Sequence, residues 1–291
     1  MEKDFKLLIK AYYLLAKPGI IYSNLFTAIG GFFLAERGNF SIGIFFAMIF
    51  GLGFVIGSAC AFNNYIDRNI DAKMSRTKKR AIPSKTIPTK HAIIFAVILG
   101  VLGFSLLLFF TTLLAGVIAF IGFLFYIVFY SIEKRRSEFG TIVGSISGAV
   151  PPVVGYCVVT GKFDIAAFLL FLILVIWQMP HFYAIAIFRK EDYNAASIPV
   201  LPLKKGIHTT KEHIIVYILA YIVAVSSLTA FGYTGYTFLI TNLLVGIMWL
   251  GLALNGLQWT DNEKWARRLF FFSLVVIVVF SVLLVINHFL R

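Results

Sequence analysis

Long apolar stretches separated by short polar segments run through this sequence from end to end. An α-helix needs about 20 mostly apolar residues to cross about 30 Å of hydrocarbon, and nine stretches are long enough. Their cores are residues 19–35, 42–66, 91–111, 113–130, 141–159, 165–188, 214–231, 236–257 and 269–289. Only Thr111 and Thr112 separate the third stretch from the fourth, and we predict a tight hairpin there. The pattern predicts an all-α integral membrane protein, a nine-transmembrane-helix bundle forming one polytopic domain over residues 1–291.

Composition excludes a soluble globular domain. Hydrophobic residues make up 60% of the chain and charged residues 13%, against about 45 to 50% and about 25% in ordinary soluble domains. The mean hydropathy is +0.90, so there is too little polar surface to face water. The two cysteines, Cys60 and Cys157, lie inside apolar runs. We therefore interpret them as packing residues and exclude a disulfide-stabilised secreted module.

The basic residues are divided unequally between the two sides of the predicted bundle. The N-terminal segment and the loops after spans two, four, six and eight hold 23 of the 26 Lys and Arg residues, leaving Arg37, Lys162 and Arg291 for the other side. Short cytoplasmic loops carry such an excess. We therefore predict a multi-pass protein of the plasma (inner) membrane, with its N-terminus in the cytoplasm and its C-terminus outside. Because the charge of +13 is spread over five loops, nucleic acid is excluded as a partner and the lipid bilayer is predicted instead.

Acidic residues follow the same division. Eleven of the 13 Asp and Glu residues lie in those cytoplasmic segments, with Glu36 and Asp164 as the exceptions, and no charge lies deep in a predicted span. Ion pumps and ion-coupled transporters usually keep ionisable groups near the bilayer midplane. The pattern disfavours a transporter and predicts polar chemistry at the cytoplasmic face.

The most informative polar segment follows span two. Asn63, Asp67 and Asp71 are four residues apart, so they stack on one face if the helix continues past the membrane border. Oxygen ligands without Cys or His favour Mg²⁺, which takes one or two carboxylates and completes its shell with phosphate and water. Five Lys and Arg residues follow Asp71 within nine positions, and Arg68 lies three positions before it. A metal-bridged polyphosphate fits both features, whereas a solvated helix end with topological charges is the alternative.

Two further groups are candidate binding residues. Tyr130 and Lys134 are again four apart and Arg135 follows, although by itself this segment is also an ordinary basic loop. His181 lies in the sixth span near Pro180. The residues alone leave both a packing role and a ligand role open for His181. The small residues and the proline pair in GTIVGSISGAVPPVVG favour tight helix contact over approach to a flat ligand.

These motifs, in this order, resemble those of the UbiA-type intramembrane prenyltransferases, whose first signature is Asn, three residues, Asp, three residues, Asp. The strings NNYIDRNIDAKMSRTKKR, FGTIVGSISGAVPPVVGY, WQMPHFYAIAIFRKEDYNAASIPVLP and WARRLFFFS are similar to the branch of that family whose acceptor is haem B. The resemblance covers nearly the whole chain. It implies a nine-helix bundle around a cavity open to the cytoplasmic surface, where farnesyl diphosphate is joined to a vinyl group of haem B, with water addition, to give haem O.

The resemblance also implies roles for individual residues. Asn63, Asp67 and Asp71 would hold a Mg²⁺-bound diphosphate, and four basic residues would offset its charge: Arg76, Arg80, Lys134 and Arg135. The family's Tyr and Lys pair matches Tyr130 and Lys134, and His181 is nominated as a haem contact. Asp192 stands in the second acidic motif as a catalytic residue, but Ala196 occupies the position of that motif's second carboxylate.

Three functional classes are weighed from the sequence. The first is the haem-directed enzyme, and the second is a prenyltransferase of the same architecture acting on a quinone precursor or other tetrapyrrole. The third is a transporter or a cofactor-free assembly subunit. The first two share the diphosphate site and differ in the acceptor, for which WQMPHFYAIAIF favours haem. A haem A synthase or the terminal oxidase assembly is a further candidate partner by resemblance.

Overall fold

The structure is a computed structural model that describes residues 2–36, 38 and 40–287. In these ranges the regular elements are helices, without a strand. The helices are α1 Glu2–Leu15, α2 Pro18–Ala35, α3 Ile42–Ile66, α4 Arg68–Asp71, α5 Thr89–Phe110, α6 Leu113–Leu124, a π-helical segment Phe125–Tyr130, α7 Ser131–Glu133, α8 Gly140–Thr160, α9 Ile165–Phe188, α10 Lys190–Ala195, α11 Leu201–Lys204, α12 Gly206–Ala230, α13 Tyr236–Asn255 and α14 Asn262–Ile286.

Nine helical segments within the described ranges are long and apolar enough to cross a membrane, which confirms the predicted spans. They are α2, α3, α5, the continuous segment Leu113–Glu133, α8, α9, α12, α13 and α14. Two of them begin earlier than the apolar pattern indicates, at Gly206 and Asn262. Their first turns are polar and extend each helix beyond its apolar core. The end of the ninth predicted span, after residue 287, lies outside the described residues.

The predicted hairpin between spans three and four is confirmed. Helix α5 ends at Phe110 and α6 begins at Leu113. The Thr112 hydroxyl accepts a hydrogen bond of 3.2 Å from the backbone N–H of Ala115. It satisfies one of the amide donors that a helix N-terminus leaves without a partner. A polar cap therefore separates two spans that hydropathy alone barely divides.

The centre of the bundle is the contact between α2 and α8. A Cβ added to Gly31 would collide with the Pro152 carbonyl, and one added to Gly155 would collide with the Ala28 carbonyl. Glycine at both positions lets the two backbones approach closely. This confirms the tight contact predicted for the small residues of α8. The two helices divide the bundle, with α3, α5 and α6 on one side and α9, α12 and α14 on the other.

The loops predicted to be cytoplasmic meet on one face of the bundle. Lys17, before α2, donates to Asn63 at the end of α3. Lys134, after α7, pairs with Asp67. The loop before α5 bonds the segment after α9, because Ser75 donates to Asp192. These contacts support the predicted alternation of loops, while the compartment on each face stays a prediction. Arg37 and Arg291, assigned to the opposite side, lie outside the described residues.

Candidate active site

Asn63, Asp67 and Asp71 form a continuous stack although α3 ends between them. The α3 helix stops at Ile66, and α4 starts at Arg68. The i to i−4 backbone bonds continue across the junction, with 2.9 Å from Asp67 N–H to Asn63 O and 2.8 Å from Asp71 N–H to Asp67 O. The Asn63 amide N–H donates to Asp67 Oδ2 at 2.8 Å. The predicted stacking is therefore present, and all three side chains are buried.

Asp67 joins the first predicted cluster to the second. Its Oδ2 accepts from Lys134 Nζ in a buried ion pair, and its Oδ1 lies 3.4 Å from Arg135 Nη2. The Lys134 ammonium also lies 4.7 Å from the centre of the Tyr130 ring. Burial lowers the pKa of Lys134, and the Asp67 carboxylate opposes that effect. The tertiary structure thus brings Tyr130, Lys134 and Arg135 to the acidic stack, as the resemblance implies.

Asp71 is neutralised separately. Arg80 Nη1 donates to Asp71 Oδ1 and Oδ2 at 2.9 and 2.8 Å. The Asp71 carbonyl accepts from the Thr77 hydroxyl at 2.8 Å, which folds the basic loop back over α4. Arg76 is exposed and lies near Asp192 and Tyr193. Arg76 and Arg80 therefore lie on the same side of the acidic stack, one beside each acidic motif.

Lys17 is a site residue that the sequence analysis missed. Its ammonium donates to Asn63 Oδ1 at 2.7 Å, and burial lowers its pKa to about 8. Its backbone is left-handed, with φ of 54°, directly before Pro18. Such a conformation costs a non-glycine residue about 1 kcal/mol or more, and strain of this kind clusters at functional sites. In the sequence, Lys17 is one of several predicted cytoplasmic charges. The feature that could single it out is its position directly before Pro18, at the start of the first span.

Asp192 connects the two motif loops. Its Oδ1 accepts from the backbone N–H of Ser75 at 3.0 Å and from the Ser75 hydroxyl at 2.8 Å. Burial tends to raise the pKa of Asp192, but these bonds and nearby Arg76 hold that pKa below its usual value. Ala196 is buried against Met74, so the position of the absent second carboxylate has an apolar packing role.

His181 lies on the other side of the bundle, where α9 packs against α14. Its Nδ1 is 2.8 Å from the hydroxyl of Ser273. The same hydroxyl lies 2.6 Å from the carbonyl of Phe270, and both contacts are hydrogen bonds at once only if the hydroxyl donates to that carbonyl and accepts from an Nδ1–H of His181. That tautomer leaves the lone pair on Nε2, which forms no hydrogen bond among the described residues. This is the protonation state in which an imidazole can bind a metal.

Aromatic rings surround the His181 imidazole. The Trp177 ring stacks on it with centroids 5.0 Å apart, and the Phe270 ring lies at 4.8 Å. Trp177 also donates its indole N–H to the carbonyl of Ser273 at 3.0 Å. Gln178 points away from this group and donates to the carbonyl of Ser145 on α8. Of the polar residues in this part of α9, Trp177 and His181 are therefore fixed by α14, whereas Gln178 fixes the helix to α8.

An open groove of 390 Å³ lies beside the acidic stack, between the end of α3 and the π-helical segment. It is lined by Ile66, Ile127, Val128, Ser131, Ile132, Arg135 and Arg136. The lining is mostly apolar, its polar residues are Ser131, Arg135 and Arg136, and Arg135 contacts Asp67. An apolar groove that ends at a cationic group matches a molecule with a hydrocarbon chain and an anionic head.

The donor set at the acidic stack fits Mg²⁺ if a ligand supplies further oxygens. Asp67 and Asp71 offer two carboxylates, and Asn63 offers an amide oxygen that presently accepts from Lys17. Among the described residues there is no group of three or more His, Cys, Asp and Glu side chains that could hold a metal. Mg²⁺ typically takes one or two protein carboxylates together with substrate phosphates and water. The protein thus provides part of such a shell, surrounded by basic groups that suit a phosphate.

Two relatives are similar to this chain in sequence over nearly its whole length. A protoheme IX farnesyltransferase of Yersinia enterocolitica is 50% identical over 282 residues, covering 97% of this chain and 95% of the relative. A protein of the same name from Protochlamydia amoebophila is 49% identical over 274 residues, covering 94% of this chain and 97% of its own.

Solved structures share the fold at low sequence identity. A digeranylgeranylglyceryl phosphate synthase matches with a TM-score of 0.79 and 18% identity, over 98% of this chain and 99% of that one. A UbiA homologue from Archaeoglobus fulgidus bound to DMAPP and Mg²⁺ matches with a TM-score of 0.71 and 10% identity, over 94% and 98%. The model of the UbiA prenyltransferase family matches residues 24–275. This chain therefore belongs to the UbiA prenyltransferase family.

Proposed function

We propose that this protein transfers the farnesyl group of farnesyl diphosphate to a vinyl group of haem B, with water addition, giving haem O and diphosphate. The name shared by relatives at 49 and 50% identity supports this acceptor over a quinone precursor. The observation that carries the proposal is that one bundle holds two distinct polar sites. A carboxylate and base cluster lies at Asp67, and an imidazole with a free Nε2 lies at His181.

The basic residues around the acidic stack are the groups that would bind the diphosphate. Lys134, Arg135 and Arg80 pair with Asp67 and Asp71 in the structure. When a metal ion compensates the carboxylates, these cations become available to the phosphate oxygens. Departure of diphosphate from an allylic carbon places negative charge on those oxygens, and positioned cations at a site of low dielectric stabilise it. Lys134 is the best placed, because it is buried and in direct contact with Asp67.

Mg²⁺ is the cofactor that we propose for this site, with Asn63, Asp67 and Asp71 as its ligands. When bound, it would neutralise the diphosphate and polarise the bond to the leaving group. The A. fulgidus homologue bound to DMAPP and Mg²⁺ supports this assignment by fold alone. Asp192 keeps the loop that carries Arg76 close to the stack through its bonds to Ser75.

We propose that His181 contacts the haem acceptor. The Ser273 hydroxyl fixes the Nδ1–H tautomer, so Nε2 is the nitrogen that can face the iron. Trp177 and Phe270 pack against the imidazole and hold its orientation. Tyr130, whose ring lies against the Lys134 ammonium, supplies an aromatic face close to the departing diphosphate, where it would stabilise positive charge on the allylic carbon.

The proposed orientation places this site at the cytoplasmic face of the plasma (inner) membrane. The N-terminus would lie in the cytoplasm and the C-terminus outside, since the loops that hold 23 of 26 basic residues meet around the acidic stack. Farnesyl diphosphate would then reach the acidic stack and its basic residues from the cytoplasmic side.

The test is direct measurement of the products. Purified protein is incubated with haem B, farnesyl diphosphate and Mg²⁺, and the extracted haems are analysed by mass. We expect a haem heavier than haem B by one farnesyl group and one hydroxyl group, because water captures the cation and releases a proton. The same reaction with a quinone precursor in place of haem B, and with EDTA in place of Mg²⁺, serves as control. Prenylation of the quinone precursor without any change in haem would overturn the proposed acceptor.

A further inference from the structure

Two arginines lie over one aromatic ring at the end of α9. The guanidinium carbon of Arg189 lies 5.5 Å from the centre of the Phe188 ring, and that of Arg267 lies 5.2 Å from the same centre. Arg189 follows α9 directly, whereas Arg267 lies in the second turn of α14. Neither residue forms an ion pair with Asp67 or Asp71, although the charge of Arg189 lies near Asp192.

The two guanidiniums have few bonded partners within the fold. The Arg189 side chain is half-buried and forms no hydrogen bond or ion pair within the described part of the chain, although its charge acts on nearby Asp192. Arg267 pairs with Glu263 one turn earlier on its own helix, and both side chains are about half exposed. An exposed pair of this kind contributes only about 0.3 to 0.5 kcal/mol, so Arg267 can exchange it for a better acceptor. A guanidinium held against a ring is oriented to bind a carboxylate with two parallel hydrogen bonds.

A continuous row of rings joins this pair to His181. The Phe188 ring lies 5.6 Å from the Phe270 ring, which lies 4.8 Å from the His181 imidazole. Seven residues of continuous α9 separate His181 from Phe188, a rise of about 10 Å. That length suits the step from the centre of a porphyrin to the ends of its carboxylate arms. A flat ligand centred at His181 would extend along α9 and end at the two arginines.

We propose that Arg189 and Arg267 bind the two propionate carboxylates of haem B, an inference that rests on the proposed function. Haem B carries its propionates on one edge of the macrocycle and its vinyl groups on the opposite edge. Holding the propionates at α9 and α14 leaves the vinyl groups on the edge of the macrocycle that faces away from the two arginines. The pair thereby selects which edge of the acceptor meets the allylic carbon, so both residues act on position and not on the reacting atoms.

The experiment uses the purified full-length protein in detergent micelles and two ligands, haem B and its dimethyl ester, titrated by absorbance. The variants are Arg189→Gln, Arg267→Gln and the double variant. Arg268→Gln is the matched control, because Arg268 is next in sequence and equally charged but lies over the Trp259 ring instead. Farnesyl diphosphate is titrated in parallel with Mg²⁺.

We expect wild type and Arg268→Gln to bind haem B about 100-fold more tightly than the ester, as two charge-assisted contacts of about 10-fold each would give. Each single variant should lower the affinity for haem B about 10-fold without changing the affinity for the ester. The double variant should bind the two ligands with equal affinity. Affinity for farnesyl diphosphate should stay unchanged throughout.

Three results would overturn the inference. Equal affinity of wild type for haem B and the ester would exclude the propionates as the bound groups. If the variants lose affinity for haem B and its ester equally, the cause is lost packing. If they lose affinity for farnesyl diphosphate instead, the two arginines bind the diphosphate. A wild-type protein that binds neither haem ligand would overturn the proposed acceptor as well, which separates that failure from the other three.

Discussion

Replacing Asp67 by Asn tests the charge cluster at its most connected residue. Asn keeps the size of the side chain but removes the negative charge that Lys134 and Arg135 share. Asp67 and Lys134 are 7% and 8% exposed. Breaking such a buried pair costs about 3 to 5 kcal/mol of unfolding free energy, because the remaining charge is left without compensation. Since burial already lowers the pKa of Lys134 and eases its deprotonation, we expect the lower end, about 3 kcal/mol.

Asp71→Asn is the matched comparison. Its partner Arg80 keeps 28% of its side chain exposed, so water can solvate the guanidinium after the carboxylate is lost. We expect a destabilisation of about 1 kcal/mol or less. Both variants remove a proposed metal ligand, so each should lower turnover of farnesyl diphosphate at least about 100-fold, equivalent to about 2.7 kcal/mol of transition-state stabilisation. The two variants should therefore be equally inactive and unequally stable.

Stability is compared by thermal unfolding in detergent, and turnover by the mass of the haem product. Adding Lys134→Met to Asp67→Asn should recover much of the lost stability, since no uncompensated charge then remains, but it should recover no activity. The reasoning is refuted if either single variant turns over at nearly the wild-type rate in saturating Mg²⁺. It is equally refuted if Asp71→Asn unfolds at a lower temperature than Asp67→Asn.

Three further predictions concern other parts of the molecule. Lys17→Met should lower turnover about 10-fold through the lost bond to Asn63, with partial rescue by Lys17→Arg, and steady-state kinetics with unchanged rates would contradict it. His181→Ala should abolish the change in the haem absorbance spectrum while leaving Mg²⁺-dependent affinity for farnesyl diphosphate nearly unchanged; loss of both affinities would indicate a packing role. A reporter fused after Arg291 should be active only outside the cytoplasm, and cytoplasmic activity would contradict the odd number of spans.

The fold follows largely from the sequence because lipid imposes a simple requirement. Each span must satisfy its own backbone hydrogen bonds and present an apolar surface, so length and hydropathy are sufficient to locate it. Prediction fails at the polar ends, as at Gly206 and Asn262, because helices extend into water wherever local hydrogen bonding allows. Packing partners are less evident from sequence: the small residues of α8 indicate close contact, but only the structure identifies α2 as the helix they approach.

The candidate site divides in the same way. The four-residue spacing of Asn63, Asp67 and Asp71 fixes their common face, because backbone bonds between neighbouring turns are local and survive the break after Ile66. Contacts between distant residues are decided by the tertiary structure alone. Lys17 is 46 residues from Asn63, Lys134 is 67 from Asp67, and His181 is 92 from Ser273.

Those distant contacts set the chemistry of the residues that the sequence nominates. Histidine has two tautomers in any sequence, and the Ser273 hydroxyl, which also contacts the carbonyl of Phe270, favours the tautomer with the lone pair on Nε2 of His181. Likewise, Arg189 and Arg267 are ordinary loop and helix charges until packing of α9 against α14 places both on the Phe188 ring. Sequence thus determines which groups are available and in which segment, whereas the charge state, orientation and pairing of each group depend on neighbours that only folding brings within hydrogen-bond distance.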